Sequence, residues 1–309
     1  NLAAGVVYRH SLKLPALTPE MFIHFLLKGL RHVLKKCPGR LLPLIGIGLP
    51  GLIDDRAGVI LHAEDLGWHN IPVAEIVWRE LRLPAVVLNR HRACALAEFN
   101  FYKKVDHFIY LGIDTGIIAS VIIDGRPLTG TNHYAGEIGH TIVDPNGPQC
   151  QCGKHGCLQA MASLNTLNRL IREEYHSNPP SLAVDVLLPY LKRGDFIPGE
   201  VIMDAACNQH PVALAALREI SKSLGIAIGN LINLLNPQTI VLGGSLTFSR
   251  HELLTDLVRE EVTKYAMVYP FSVVQIHPSR LGIYSGAIGA ASLPLERKLE
   301  LVLRATQND

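Results

Sequence analysis

Residues Ser223 to Ser249 read SLGIAIGNLINLLNPQTIVLGGSLTFS, without a single charged side chain. A stretch this long and apolar invites a membrane helix, which needs about 20 apolar residues. Asn230, Asn233, Asn236, Pro237 and Gln238 argue against that, because amides are costly against lipid. The stretch reads instead as a buried helix, a stop at Asn236-Pro237, and a buried strand over Thr239 to Leu242 running into Gly243-Gly244. A strand apolar on both faces belongs to a parallel sheet covered by helices. Leu217, Ile220, Leu224, Ile228, Leu231 and Leu235 recur three or four apart, which gives one helix face. Gly225, Gly229 and Asn233 are four apart and admit a neighbouring backbone.

The same alternation continues outward. Thr18-Pro19 pairs a capping hydroxyl with a proline at the first helical position, and Phe22, Phe25, Leu26, Leu30, Val33 and Leu34 follow at helical spacing. Cys37-Pro38-Gly39 stops that helix. Leu44 to Gly48 reads as a buried strand ending in the turn Leu49-Pro50-Gly51. A helix follows Pro72, and Ala85 to Leu88 is another short strand. Phe108 to Gly112 and Ala119 to Ile123 form a hairpin pair, with Asp124-Gly125 as its turn chemistry. Gly282 to Ala291, rich in small residues, reads as a tightly packed helix. Strands alternating with helices argue for the α/β class.

A chain of 309 residues suggests two domains. At 48% hydrophobic and 18% charged, it has material for a buried core and is excluded from the disordered class. Its net charge of +2 is too near neutral to announce a nucleic-acid surface. Six cysteines in this length are not a disulfide scaffold. No signal peptide or membrane insertion is expected, which places the protein in the cytoplasm. The first residue is Asn1 rather than Met, which reads as a start part-way into a longer product.

The strongest local chemistry lies between Gly136 and Gln159. His140, Cys150, Cys152 and Cys157 fall within 18 residues and make a Cys3His set, a tetrahedral zinc environment. Four protein ligands close the shell, so one structural zinc ion per chain is expected rather than a catalytic one. His155 lies inside the loop, but Cys157 completes the set without it. Cys37, Cys94 and Cys207 are isolated and read as ordinary buried thiols.

Several of these motifs together resemble the ROK family (repressors, open reading frames and sugar kinases). They are Glu137-Ile138-Gly139-His140, Cys150-x-Cys152-Gly153-x-x-Gly156-Cys157-Leu158, and Gly46-x-Gly48-x-Pro50-Gly51. Leu66-Gly67-Trp68, the Asn233 to Gly244 segment and Gly286-Ala287-Ile288-Gly289-Ala290 fit the same pattern. The resemblance runs over essentially the whole chain, and Gly136 to Cys157 is especially similar to NagC/Mlc-type repressors. It implies a two-lobed, actin-like (ribonuclease H-like) ATPase/sugar kinase fold with a ligand cleft between the lobes. One lobe is expected at residues 1–89 plus 290–309. The other is expected at 90–289, with the zinc motif and a dimerisation surface. The first strand and an N-terminal helix-turn-helix would precede Asn1.

Kinases of the family use a catalytic aspartate as general base on the sugar hydroxyl. The corresponding stretch here is Asn89-Arg90-His91-Arg92, with Arg90 at the aspartate position, and a guanidinium cannot take a proton. His91 is adjacent, but neighbouring residues point in different directions. The glycine-rich phosphate loop of the kinases is reduced here to Asp114-Thr115-Gly116, with Ile118 and Ser120 adding side chains where phosphate needs bare backbone. By resemblance, Asn89, Glu137 and His140 touch sugar hydroxyls, Gln159 replaces a glutamate, and Arg90 sits at the pocket's edge. Arg90 either selects an acidic or phosphorylated sugar or pairs with Glu137 or Asp114.

The resemblance therefore implies the effector-binding and oligomerising part of a sugar-responsive repressor, inactive as a kinase. It would act as a homodimer or a dimer of dimers and reach operator DNA only through the missing N-terminal domain. A sugar-transport protein is a further expected partner. Two other readings stand beside this one: a glucokinase-like or N-acetylhexosamine kinase-like enzyme using ATP, and a sugar-binding or protein-docking module without a DNA role.

Overall fold

The structure is a computed structural model that describes residues 6–15, 18–37, 43–63, 66–102, 105–131, 134–178, 185–247 and 252–292. The readings of Asn1 to Gly5, of the Pro38-Gly39 stop and of the chain beyond 292 lie outside these residues. The chain divides into two compact units. The first is Asn1–Phe101, Thr131–Tyr134 and Tyr284–Asp309, and the second is Tyr102–Gly130 and Ala135–Ile283.

The first unit opens with α1 (Pro19–Lys36), where the Thr18 side chain accepts the Met21 N–H as the capping signature predicts. Strands β1 (Ile45–Leu49), β2 (Leu52–Asp54), β3 (Val59–Ala63) and β4 (Trp68–Ile71) follow, then α2 (Val73–Leu81), β5 (Ala85–Asn89) and α3 (Arg90–Phe101). β1 and β5 pair in parallel, and β2, β3 and β4 make an antiparallel sheet. Leu27, Ile47, Ile53, Ile60, Trp68 and Val77 share one core, and the Phe22 ring lies 5.0 Å from the Trp68 ring.

Residues 285–292 are helical, as their small side chains predict. A Cβ on Gly289 would land on the Ala93 carbonyl of α3, and one on Gly46 would land on the Ala290 carbonyl. The backbones touch where glycines remove the side chains. The sequence reading divided the lobes at Asn89. The boundary lies at Phe101/Tyr102 instead, because α3 packs back onto β1 and β5.

The second unit carries β6 (Phe108–Ile113), β7 (Ile117–Ile123) and β8 (Arg126–Pro127). Helices α4 (Leu158–Ala162), α5 (Leu164–Ser177), α6 (Leu188–Arg193), α7 (Gly199–Cys207) and α8 (Pro211–Leu235) come next. Then follow β9 (Thr239–Gly243), α9 (Leu253–Val262), α10 (Val268–Val273) and β10 (Gln275–Pro278). The sheet order is β10-β9-β6-β7-β8, with β10, β9 and β6 parallel and the β6–β7 and β7–β8 pairs antiparallel. Every residue of β6 and β9 is buried, so both read as uninterrupted apolar runs.

The charge-free stretch is thus the end of α8, a stop at Asn236 and the strand β9. Asn236 has φ +43°, a left-handed cap that asparagine tolerates. Gly225 and Gly229 face Glu261 and Tyr265, and Asn233 holds the same segment through Tyr265 O (3.0 Å) and Met267 N (2.8 Å). Among the described residues no helix is long and apolar enough to cross a membrane.

One expectation needs correction. β6 and β7 do form a hairpin, but Asp124-Gly125 is not its turn. Those residues, at φ +51° and +68°, close the next hairpin, β7–β8. Two consecutive positive φ values are what a tight two-residue turn demands, and Asp-Gly supplies them there. The β6–β7 turn is Asp114-Thr115-Gly116.

A buried polar staple that the sequence does not announce joins α5 to the start of α8. Asp185 Oδ2 accepts from Tyr175 Oη (2.5 Å), and Oδ1 accepts from Leu187 N (2.9 Å) and His210 Nε2 (3.2 Å). Burial pushes the Asp185 carboxyl up, but these donors outweigh it and hold it below its ordinary 3.8. A lowered folded value means that the contribution is present above about pH 3.8 and is lost as pH falls through the lower value. Asp185→Asn should therefore cost about 1–3 kcal/mol at neutral pH. In urea melts its deficit should shrink well below pH 3.8, and an equal deficit in neutral and strongly acid buffer would rule the staple out.

Candidate metal centre

The segment from Gly136 to Leu158 is laid onto β7 by its glycines. Gly136 has φ +105°, and a Cβ there would strike the Ala119 carbonyl. The Gly136 carbonyl in turn accepts the Ala119 N–H at 2.8 Å. Ile138–His140 is one 3₁₀ turn, with His140 N–H on Glu137 O at 3.1 Å, and residues three apart in such a turn lie on one side of it. Leu158 N–H then returns to Thr141 O (2.9 Å), and Ile142 bridges Cys157, so the two ends of the segment lie side by side.

Between those ends a tight loop presents the remaining thiols. Cys150 N–H donates to Lys154 O (2.7 Å), and Gly153 N–H to Cys150 O (2.9 Å). Gly156, at φ +67°, passes so close to Asp144 O that a side chain has no place.

His140, Cys150, Cys152 and Cys157 converge as the sequence reading expects, with all four donor atoms within 4.8 Å of one another. Cys150 Sγ lies 3.7 Å from His140 Nδ1, and Cys152 Sγ 3.6 Å from Cys157 Sγ. A tetrahedral centre with metal–sulfur bonds of about 2.3 Å has edges of about 3.8 Å. The donors already stand near the corners of such a tetrahedron and can hold a metal ion. The sulfurs are far outside the bonding distance of a disulfide, about 2.05 Å, and the cysteines are free thiols. His155 turns its Nδ1 to Gly147 O (3.3 Å) and stays outside the set.

The thiols differ in ease of ionisation. The Lys154 backbone N–H holds exposed Cys152 down to about 7, while burial pushes Cys157 up to about 12.

The residues matched to ligand binding are divided between the units. In the first unit, Asn89 ends β5 and is held at both ends of its amide. Its Nδ2 donates to Gly51 O (2.9 Å), and its Oδ1 accepts from His91 N (2.8 Å) and Arg92 N (3.4 Å), which caps α3. The sequence reading took Asn89 for a ligand contact and missed this cap, although asparagine before a helix is its signature.

Arg90 opens α3 and donates from Nε to His91 Nε2 (3.2 Å). His91 is buried, and burial together with the Arg90 charge pushes it down to about 3. Its Nε2 is engaged as the acceptor of that Arg90 N–H.

In the second unit, Glu137 precedes the 3₁₀ turn, and Gln159 lies on α4. Gln159 Oε1 accepts the Ile117 N–H at 3.4 Å, which ties α4 to the start of β7. Asp114 Oδ1 accepts the Ser245 N–H (2.9 Å), and Asp114 O accepts the Leu164 N–H (2.8 Å). The Asp114-Thr115-Gly116 turn is thereby fastened to the exit of β9 and the start of α5. Nothing in the local sequence signals that tie, since Asp114 and Ser245 are 131 residues apart.

Comparison with known proteins agrees with the motifs. The model of the ROK family matches residues 2–297. The chain is 30% identical over 261 residues to a xylose repressor of Caldicellulosiruptor bescii, covering 82% of this chain and 63% of the repressor. It thus spans less than two thirds of that relative. It is 32% identical over 268 residues to a glucokinase of Thermotoga maritima, covering 86% of this chain and 83% of that enzyme. The crystal structure of a ROK family glucokinase from Streptomyces griseus, in complex with glucose and AMPPNP, is similar at TM-score 0.80 and 28% identity. That likeness covers 90% of this chain and 88% of the glucokinase.

Proposed function

Because the chain belongs to the ROK family and has its sugar-kinase fold, we propose that it is the effector-binding, oligomerising region of a sugar-responsive transcriptional regulator, without kinase activity. Relatives of both kinds lie at similar identity, so the choice rests on the chain's own residues.

The observation that carries it is Arg90 at the head of α3, directly after Asn89. By resemblance this is the position of the kinase general base, a role worth roughly 10²–10⁴ in rate. The β6–β7 turn supports the same reading. Asp114 offers an anion where phosphate would lie and uses its carboxylate on Ser245 N–H. Asn89, Glu137 and His140 match the family's sugar contacts, so a sugar or sugar phosphate is the effector. The regulator acts as a cytoplasmic homodimer, and its DNA contact comes from a helix-turn-helix encoded upstream.

In this reading one zinc ion is held by His140, Cys150, Cys152 and Cys157. Bound there, it supplies no open coordination position for chemistry. The residues' own part is to pin the 3₁₀ turn, and with it Glu137, against β7.

A coupled ATPase assay with glucose, xylose and N-acetylhexosamines tests the proposal. No turnover above buffer background is expected, and Arg90→Asp alone should not create any, because Asp114 and Ile118 still obstruct the nucleotide side. Turnover by the wild-type chain would assign it to the kinases. A thermal-shift screen with the same sugars and their phosphates should reveal the effector as a ligand that raises the melting temperature.

A further inference from the structure

We propose that His62 and His69 form a two-imidazole chelate for a divalent transition-metal ion of the Ni2+ or Cu2+ class, on the three-stranded sheet of the first unit. The observation is positional. His62 on β3 stands directly opposite His69 on β4 in the antiparallel register. Such opposed pairs have Cβ atoms about 4.5–5.5 Å apart, within reach of one metal ion. The neighbouring pair in that register, Ile60 and Ile71, is buried, so both histidines project from strands fixed by the core. His69 is exposed and His62 half-buried, which leaves room for water to complete a coordination shell.

The rings are set as a splayed pair rather than a stack. Their centroids are 4.5 Å apart and their planes 41° apart, and the two Nδ1 atoms converge at 3.0 Å. Two nitrogens at about 2.1 Å from one ion are about 3.0 Å apart when cis at a right angle and about 3.4 Å apart in a tetrahedron. The observed separation fits the right-angle case, the preference of square-planar and octahedral ions bound by imidazole. Without metal, one Nδ1 carries the hydrogen that the other accepts. When the ion enters, that hydrogen moves to Nε2 of its own ring, and each Nδ1 gives its lone pair to the metal. Both rings stay neutral, and no oxidation or reduction occurs. The site lies in the other unit from the Cys3His set and shares no residue with it.

The test uses the full chain, saturated with zinc, freed of excess and titrated with NiCl2 by calorimetry while retained zinc is measured. The expected result is one Ni2+ site beyond the retained zinc. His62→Gln and His69→Gln should each weaken it by more than about tenfold, and His24→Gln on α1 should leave it unchanged. Proton NMR of the wild type gives a readout that needs no variant: Ni2+ should broaden the His62 and His69 ring signals first. Absence of a Ni2+ site, equal affinity in the glutamine variants, or earlier broadening of other histidines would overturn the proposal.

Discussion

Replacing Cys152 with serine should abolish stoichiometric zinc binding and lower the melting temperature of the second unit. Cys152 is exposed and its Sγ sits in the donor cluster, so the change removes a ligand without opening the core. Loss of a structural metal is among the few single changes that destabilise a domain by several kcal/mol. A cost of about 3 kcal/mol corresponds to about 6–12 °C for a domain of this size. Cys157→Ser should lose zinc equally and melt lower still, because it also places a hydroxyl at a fully buried site. Cys207→Ser on α7, outside the cluster, should keep its zinc. Metal analysis and calorimetry on the three variants decide the matter. Full zinc content in Cys152→Ser would sink the assignment.

Gly46→Ala should be among the most damaging small substitutions in the first unit. A methyl group there would occupy the space of the Ala290 carbonyl, so β1 and the helical residues 285–292 must separate. The atoms it would meet, the Ala290 carbonyl and the Ala291 nitrogen, are backbone, which cannot swing aside as a side chain can. Overpacking against movable side chains costs about 1–3 kcal/mol, and this case should reach the upper end or exceed it. Gly48→Ala is the control on the same strand. It would meet the Ala93 methyl at 3.4 Å, close to ordinary contact, and should change stability by less than about 1 kcal/mol. Denaturant melts that shift alike for the two variants would refute this packing.

What was legible in the sequence was local or periodic. The His140, Cys150, Cys152 and Cys157 cluster lies within 18 residues, and its residue types are those of a metal site. The α8–β9 stretch was legible because its period changes at Asn236-Pro237. The turn of the β6–β7 hairpin is hard to place from sequence because Asp124-Gly125 is the stronger short-range signal, while Asp114-Thr115-Gly116 reads as a degraded phosphate loop. The boundary at Phe101 was invisible, since it depends on α3 returning to β1 and β5 through contacts between glycines and alanines. The Tyr175–Asp185–His210 staple escaped for the same reason: its members share no spacing, and only the fold brings them together.

The hydrogen bond from Ser245 N–H to Asp114 has a consequence for descent. By resemblance, a phosphate-binding loop would carry glycine at position 114. In this chain that position secures the exit of β9. Asp114→Gly would remove that acceptor, at a cost of about 1 kcal/mol. On the regulator reading proposed above, a return to glycine at this position alone loses a hydrogen bond and gains no activity, so the aspartate works as an evolutionary ratchet. The same reading expects stepwise reversion of the present chain to pass through variants that are less stable before any of them gains kinase turnover.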